Sequence, residues 1–286
     1  MSHNSSVPSP AQLIDKYQLN AKKSLGQNFI LDLNFTDKIV RCVNDLSKHS
    51  ILEIGAGAGT LTRSILEANP KKLVVIEKDQ RCIELLNELK SHYRDKNFEI
   101  IHGDAIKIND LEIFADEIRH QEKFKIIANL PYNIGSVLLI KWLKISQHIA
   151  SMHLMLQKEV VERIIAKTND NHFGRLAVMA NFYCHTKMLF TVHQNVFTPP
   201  PKILSAIVEL IPNAKIDPEI DFEKLERVVA NAFSQRRKML KSSLKNLLAN
   251  ETIQILENCQ INPKLRAEQL TITDFIKLTK AITIRK

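Results

Sequence analysis

The chain has 286 residues, 44% hydrophobic and 25% charged, a globular composition with room for a main domain and a small appendage. No apolar run approaches the ~20 residues of a membrane-spanning helix, and the start Met-Ser-His-Asn-Ser-Ser lacks a charged-then-apolar secretion signal, so export and a membrane role are not expected. Lys and Arg outnumber Asp and Glu by 40 to 31, giving +9, and residues 215–286 hold 14 basic and 9 acidic side chains, +5 of that total; a polyanionic partner suits the excess, with solubility alone as the rival.

Residues 1–16, rich in Ser, Pro and polar side chains, read as a flexible arm. Next comes Lys22-Lys23-Ser-Leu-Gly-Gln27-Asn28-Phe-Ile30, which joins a basic pair to a glycine and two amides; it reads as a flap over a ligand, or else as a charged N-terminal helix. From Ile51 short apolar runs predict buried strands at 51–54, 72–77, 98–104, 124–130 and 151–156. Between them, apolar residues three and four apart predict helices at 60–69, 80–93, 111–120, 135–146 and 158–168. That alternation specifies an α/β fold with a doubly wound, mostly parallel sheet. After a further helix at 174–184, strands at 187–192 and 204–210 read as a closing hairpin. Prolines in 211–218 mark a linker, and the remainder is helical. The expected organisation is an arm (1–16), a catalytic domain (17–212) and a small all-α C-terminal domain (213–286).

Three of only seven glycines fall in Glu53-Ile-Gly55-Ala-Gly57-Ala-Gly59-Thr60, directly after the first strand. Glycine there permits a tight turn and lets a ligand approach the backbone, although a plain strand-to-helix turn would need some of the same residues. A dinucleotide site would show G-x-G-x-x-G, yet Thr60 stands where its third glycine belongs, so NAD is disfavoured. S-adenosylmethionine has no phosphate and suits this loop. Glu77 ends the second strand, where a carboxylate can accept from ribose hydroxyls; Asp104 follows the third, suited to an adenine amine; Asn129 ends the fourth. These ends fall along one edge of a wound sheet, which gives a Rossmann-like S-adenosylmethionine methyltransferase fold.

Asn129-Leu130-Pro131-Tyr132 fits methylation of an aromatic amine. The lone pair of such a nitrogen is delocalised into the ring, so the Asn129 side-chain oxygen and the Leu130 carbonyl serve as acceptors that favour a pyramidal nitrogen. Pro131 stiffens the backbone and Tyr132 offers a stacking face. The chemistry asks for positioning and electrostatics, with no metal. None of Cys42, Cys82, Cys184 and Cys259 lies in a comparable loop, which argues against a cysteine-dependent carbon methyltransferase, and no C-x-x-C suggests zinc or a disulfide framework; a reducing cytoplasm is expected. A target adenine must be single-stranded or flipped out. Phe173, beside Gly174, is the candidate second face of its pocket, with a core or lid phenylalanine the rival; Phe197 is a further lining candidate. In the tail, Arg236, Arg237 and Lys238 lead into Lys241 and Lys245, and a helix would set Arg237, Lys241 and Lys245 on one face to track phosphates, or to be merely solvated.

With these residues in place the chain resembles the ribosomal RNA adenine N6,N6-dimethyltransferases, which modify two adjacent adenosines near the 3′ end of 16S rRNA. The resemblance rests on Ser24–Phe29, Glu53–Thr62, His102–Ala105, Asn129–Asn133, Val196–Lys202 with Ser205-Ala206, and Phe233–Lys238. It implies that S-adenosylmethionine contacts Gln27, Asn28, Ile30, Gly55, Glu77, Asp104 and Asn129, joined on the residue reading by Gly57 and Gly59, and that the base meets Asn129 to Tyr132. Lys22 and Lys23 join the tail cations as expected RNA contacts. Ala56 replaces a frequent proline, Ile30 a usual leucine, and Phe173 a common tyrosine. A cytoplasmic monomer acting on an assembling 30S particle is implied. The macrolide-resistance 23S rRNA methyltransferases and a non-catalytic assembly factor are the competing readings, and the Phe-x-x-Arg-Arg tail and intact Asn129 and Tyr132 count against them respectively.

Overall fold

The computed structural model describes residues 7–22 and 25–282. Five strands, β1 (Ser50–Ile54), β2 (Lys72–Glu77), β3 (Phe98–His102), β4 (Phe124–Asn129) and β5 (Ile149–Gln157), pair in parallel; β6 (Cys184–Val192) and β7 (Ser205–Pro212) complete one seven-stranded sheet. The order is β3-β2-β1-β4-β5-β7-β6, with β7 antiparallel to β5. The expected hairpin strands are neighbours, but the second one sits inside, between β5 and the first. That placement follows from side chains: Ala206, Ile207, Val208 and Leu210 of β7 are fully buried, whereas β6 is exposed or half-exposed at most positions, as an edge strand is.

Helices α2 (Leu33–Arg41), α3 (Thr60–Glu67), α4 (Gln80–His92) and α7 (Gly135–Lys144) cover the sheet. Ile51, Leu52, Leu73, Val74 and Val75 are all 0% exposed, the continuous burial a parallel strand shows when both faces are covered. Two of them begin at a side-chain cap, α2 where Asp32 accepts from the Asn34 N–H (2.9 Å) and α4 where Asp79 accepts from the Arg81 N–H (3.2 Å). The helix expected at 111–120 forms as two short pieces, α5 (Asp110–Ile113) and α6 (Ala115–Arg119).

The arm needs correction. Residues 1–6 lie outside the described residues, but Pro10–Lys16 form helix α1, started by a reciprocal Ser9–Gln12 capping box with Pro10 in its first turn. Leu13, 3% exposed, packs with Leu85 and Phe29, and that burial holds the helix in the main unit.

By contacts the chain divides into two units, one of residues 1–161 and 187–211, the other of residues 162–186 and 212–286. Residues 162–186 join the helical unit, because α9 (Arg175–Tyr183) packs on α10 (Phe222–Ala232). Tyr183 lies tilted against Phe222, 5.3 Å between ring centroids. α10, α14 (Ile272–Ala281), Leu240 and Leu244 close this second core.

Candidate functional site

The strand order reverses between β1 and β4, the place where an open parallel sheet leaves a crevice at its carboxyl edge. A cavity opens there, walled by 25–30, the β1 loop 53–58, Ile76 to Lys78, 103–106, 129–134 and Phe197. The structure thus brings together Gln27, Asn28, Ile30, Gly55, Gly57, Glu77, Asp104 and Asn129 to Tyr132, with Phe197.

Gly55 and Gly57 hold left-handed backbone, φ 71° and 55°. A Cβ on Gly57 would meet the Phe29 ring at 3.0 Å, so the missing side chain seats that ring under the loop. The Gly57 N–H donates to Glu77 Oε2 (3.0 Å), while Glu77 Oε1 accepts from Lys78 (2.7 Å) and Asp79 (2.8 Å) N–H groups. Three donors hold this carboxylate rigidly; with about four acceptor positions in all, it keeps capacity toward the cavity. Asp104 accepts from the Lys78 ammonium (2.9 Å) and the Ile106 N–H (3.0 Å), and its carboxyl is held below the ordinary range first by Lys78.

Gly59 departs from its expected role. It caps α3 with φ 73° and faces Leu89, Leu85 and Leu86, where a Cβ would come within 3.1 Å. Helix packing, not ligand approach, requires this glycine. Thr60 donates its hydroxyl to the Ile30 carbonyl (2.5 Å), tying the N-terminal flap to the start of α3. Ile30 pairs with Phe197 and Phe29 with Thr198, so the flap and the Pro-rich loop form a two-stranded ribbon beside the cavity.

Gln27 donates to Asp79 Oδ2 (3.0 Å) and accepts from the Lys22 N–H (2.9 Å). Arg81, bonded to Asp79 at 2.6 Å, is the main cause of a carboxyl pushed down to about 2. Asn129 donates its Nδ2 to the Asn28 carbonyl (3.5 Å), an amide orientation that turns Oδ1 away from Asn28. The following loop is fixed by Leu130 N–H to Met155 carbonyl (3.2 Å) and by Gly135, whose Cβ would strike Leu156 at 2.4 Å. Glu53, 1% exposed, belongs to the same wall; burial is the chief cause that pushes its carboxyl up to about 8.

Phe173 is not the open stacking face expected of it but a core side chain of the second unit. It is 1% exposed in the second unit, edge-on to Phe233 at 6.1 Å, because the turn before α9 folds inward onto that helical core. Arg236 is engaged there too, bonded to Glu268 (3.2 Å) and to the Asn171 carbonyl. No helix sets Arg237, Lys241 and Lys245 on one face: residues 233–239 are turn, and two one-turn helices, Leu240–Ser243 and Lys245–Leu248, follow. Arg237, Lys238 and Lys241 are nonetheless exposed. Lys22 lies 3.8 Å from Asp79, and Lys23 lies outside the described residues.

Sequence reasoning missed the positioning roles of Asp79, of Thr60 and of Lys141, whose ammonium donates to the Ala105 (2.8 Å) and Ile108 (2.6 Å) carbonyls of the loop bearing Asp104. Only Asp79 carried a local signal, the Asp-Gln helix start; the others act through distant backbone carbonyls. No helix among the described residues is long and apolar enough to cross a membrane, and no cluster of three metal-ligating side chains occurs among them.

Residues 18–283 match the family model described as ribosomal RNA adenine dimethylase. A ribosomal RNA small subunit methyltransferase A from Agrobacterium fabrum is 44% identical, covering 96% of this chain and 98% of the relative. The protein of that name from Paramagnetospirillum magneticum is 42% identical, over 98% and 96%. A dimethyladenosine transferase from Plasmodium falciparum superposes with a TM-score of 0.74 at 28% identity, over 87% of this chain and 95% of that one. The 23S rRNA methyltransferase ErmE, at 22% identity and TM-score 0.65 over 89% and 99%, shares the fold.

Proposed function

The chain belongs to the ribosomal RNA adenine dimethylase family, and on that premise we propose that it uses S-adenosylmethionine to dimethylate N6 of two adjacent adenosines in the 3′-terminal hairpin of 16S rRNA during small-subunit assembly. The observation that carries the reading is the meeting of Gly55, Glu77, Asp104 and Asn129 to Tyr132 around one crevice at the β1/β4 reversal.

The donor set fits the cofactor. Gly55 presents backbone with no Cβ, Glu77 offers acceptor capacity suited to a ribose diol, and Asp104 beside Ile106 suits an adenine amine and ring. S-adenosylmethionine would supply an electrophilic sulfonium methyl. Asn129 Oδ1 and the Leu130 carbonyl would accept from the target amine and orient its lone pair, while Tyr132 and Phe197 give aromatic surface to a flipped base. With methyl transfer intrinsically favourable, these groups need only hold nitrogen and methyl in line and exclude water. In the second unit, exposed Arg237, Lys238 and Lys241 would contact RNA phosphates. Action as a cytoplasmic monomer on an assembling 30S particle completes the proposal.

The test incubates the purified chain with radiolabelled S-adenosylmethionine and immature small subunits lacking the modification, followed by nucleoside analysis. Label in dimethyladenosine near the 3′ end of 16S rRNA is expected. Label confined to 23S rRNA, or none despite cofactor binding, overturns the reading.

A further inference from the structure

Ser205 is a residue to which the cofactor and base assignments give no task. It begins β7, is 0% exposed, and shares a 2.8 Å hydrogen bond with the Tyr132 hydroxyl. Its own position is fixed from the sheet: Ser205 stands opposite Gln157 of β5, and the Lys158 N–H bonds the adjacent Leu204 carbonyl at 2.9 Å. Tyr132, by contrast, is half-buried on the loop after β4, with its ring at the cavity wall.

A tyrosine held only at its Cα can sample several rotamers. One held at the phenol oxygen as well has its ring axis set, and only rotation about that axis remains. Reactions that depend on approach geometry lose rate steeply when a stacking surface shifts, roughly 10²-fold for about 1 Å. We propose that Ser205 is a positioning residue for methyl transfer, anchoring the Tyr132 ring to the central sheet so that the target base meets one fixed face. This rests on the assignment of Tyr132 to the base given above. It explains why a buried serine hydroxyl faces a tyrosine, where alanine and phenylalanine would fill the same space without an unsatisfied polar group.

The test compares Ser205→Ala, Tyr132→Phe and the double variant in the full chain, with S-adenosylmethionine and a small-subunit RNA substrate. Ser205→Ala is expected to keep the S-adenosylmethionine Kd and a Tm within a few degrees of the parent, and to lower kcat/KM for RNA about 10-fold. Tyr132→Phe should lose a similar factor, and the double variant no more than either, since all three remove one bond. Parental transfer by Ser205→Ala, or losses that multiply in the double variant, overturns the proposal. Should Ser205→Ala fail to fold, Tyr132→Phe decides: parental transfer overturns the proposal, and a loss with cofactor affinity kept supports it. Tyr132→Ala separates the two layers, because parental transfer there removes the base assignment itself, whereas its inactivity beside an unimpaired Ser205→Ala removes only the positioning role.

Discussion

Asn129 closes β4 with its amide nitrogen directed at the Asn28 carbonyl, so one side chain joins the flap to the loop that bears Tyr132. On the proposed chemistry its oxygen matters chiefly when the target nitrogen becomes pyramidal. Asn129→Ala is therefore expected to weaken S-adenosylmethionine binding only modestly by calorimetry while losing methyl transfer by about 10²-fold or more; undiminished transfer would refute the pocket assignment. Glu53 makes a different prediction. Burial, reinforced by the Glu77 charge and opposed by Thr62, raises its carboxyl from 4.5 to about 8. The folded state then keeps a proton that the unfolded state releases, so unfolding free energy falls as pH rises from about 4.5 to about 8 and levels off above. Glu53→Gln removes that slope. Urea unfolding at pH 5, 7 and 9 should show the variant gaining on the parent with pH, by roughly 5 kcal/mol at most, and parallel pH profiles would exclude the effect.

At the scale of elements, α7 does more than cover the sheet. Lys141 donates to the carbonyls of Ala105 (2.8 Å) and Ile108 (2.6 Å) and pairs with Asp110 (2.9 Å), which also accepts from Trp142 (3.0 Å). The helix that follows the Asn129–Tyr132 loop thereby fixes the loop bearing Asp104 and Ile106. Lys141→Met strips that loop of its fastening and leaves Asp110, 1% exposed, with a weaker partner set. Expected outcomes are about 2 kcal/mol of lost stability, given that Lys141 is itself part-exposed, and about 10-fold weaker S-adenosylmethionine binding. Unchanged binding would mean that the loop keeps its shape by packing alone. Short elements were the hardest to read from sequence. Helix α1 was legible in principle, since Ser9-Pro10-Ala11-Gln12 is a capping signature, but Ser and Pro richness alone suggested an arm. The tail cations looked helical because Leu240 and Leu244 keep helical spacing; the turn at 233–239 instead lets Arg236 reach Glu268.

For the whole molecule, the charge excess in residues 215–286 calls for a salt test. Replacing Arg237, Lys238 and Lys241 together by alanine should flatten the salt dependence of RNA binding by about 0.7–0.9 in logarithmic slope per cation engaged, with S-adenosylmethionine affinity unchanged. An unaltered slope would assign those cations to solvation. The wound sheet, its strand ends and most of the cavity wall were legible because burial periodicity and glycine placement are local properties, repeated often enough to fix the alternation of strands and helices. Phe173 and Gly59 were not. A phenylalanine beside a glycine reads alike whether it faces a ligand or Phe233, and the Gly59 constraint comes from Leu85, Leu86 and Leu89 on another helix. The sequence alone thus determined the fold class and the residue types at the strand ends, because these follow from local pattern, while the family was legible through the resemblance of its motifs, Asn129–Asn133 and Glu53–Thr62 among them. Only the tertiary structure decided that β7 enters between β5 and β6, that 162–186 joins the helical unit, and that Ser205 meets Tyr132, because each depends on contacts between residues far apart in the chain.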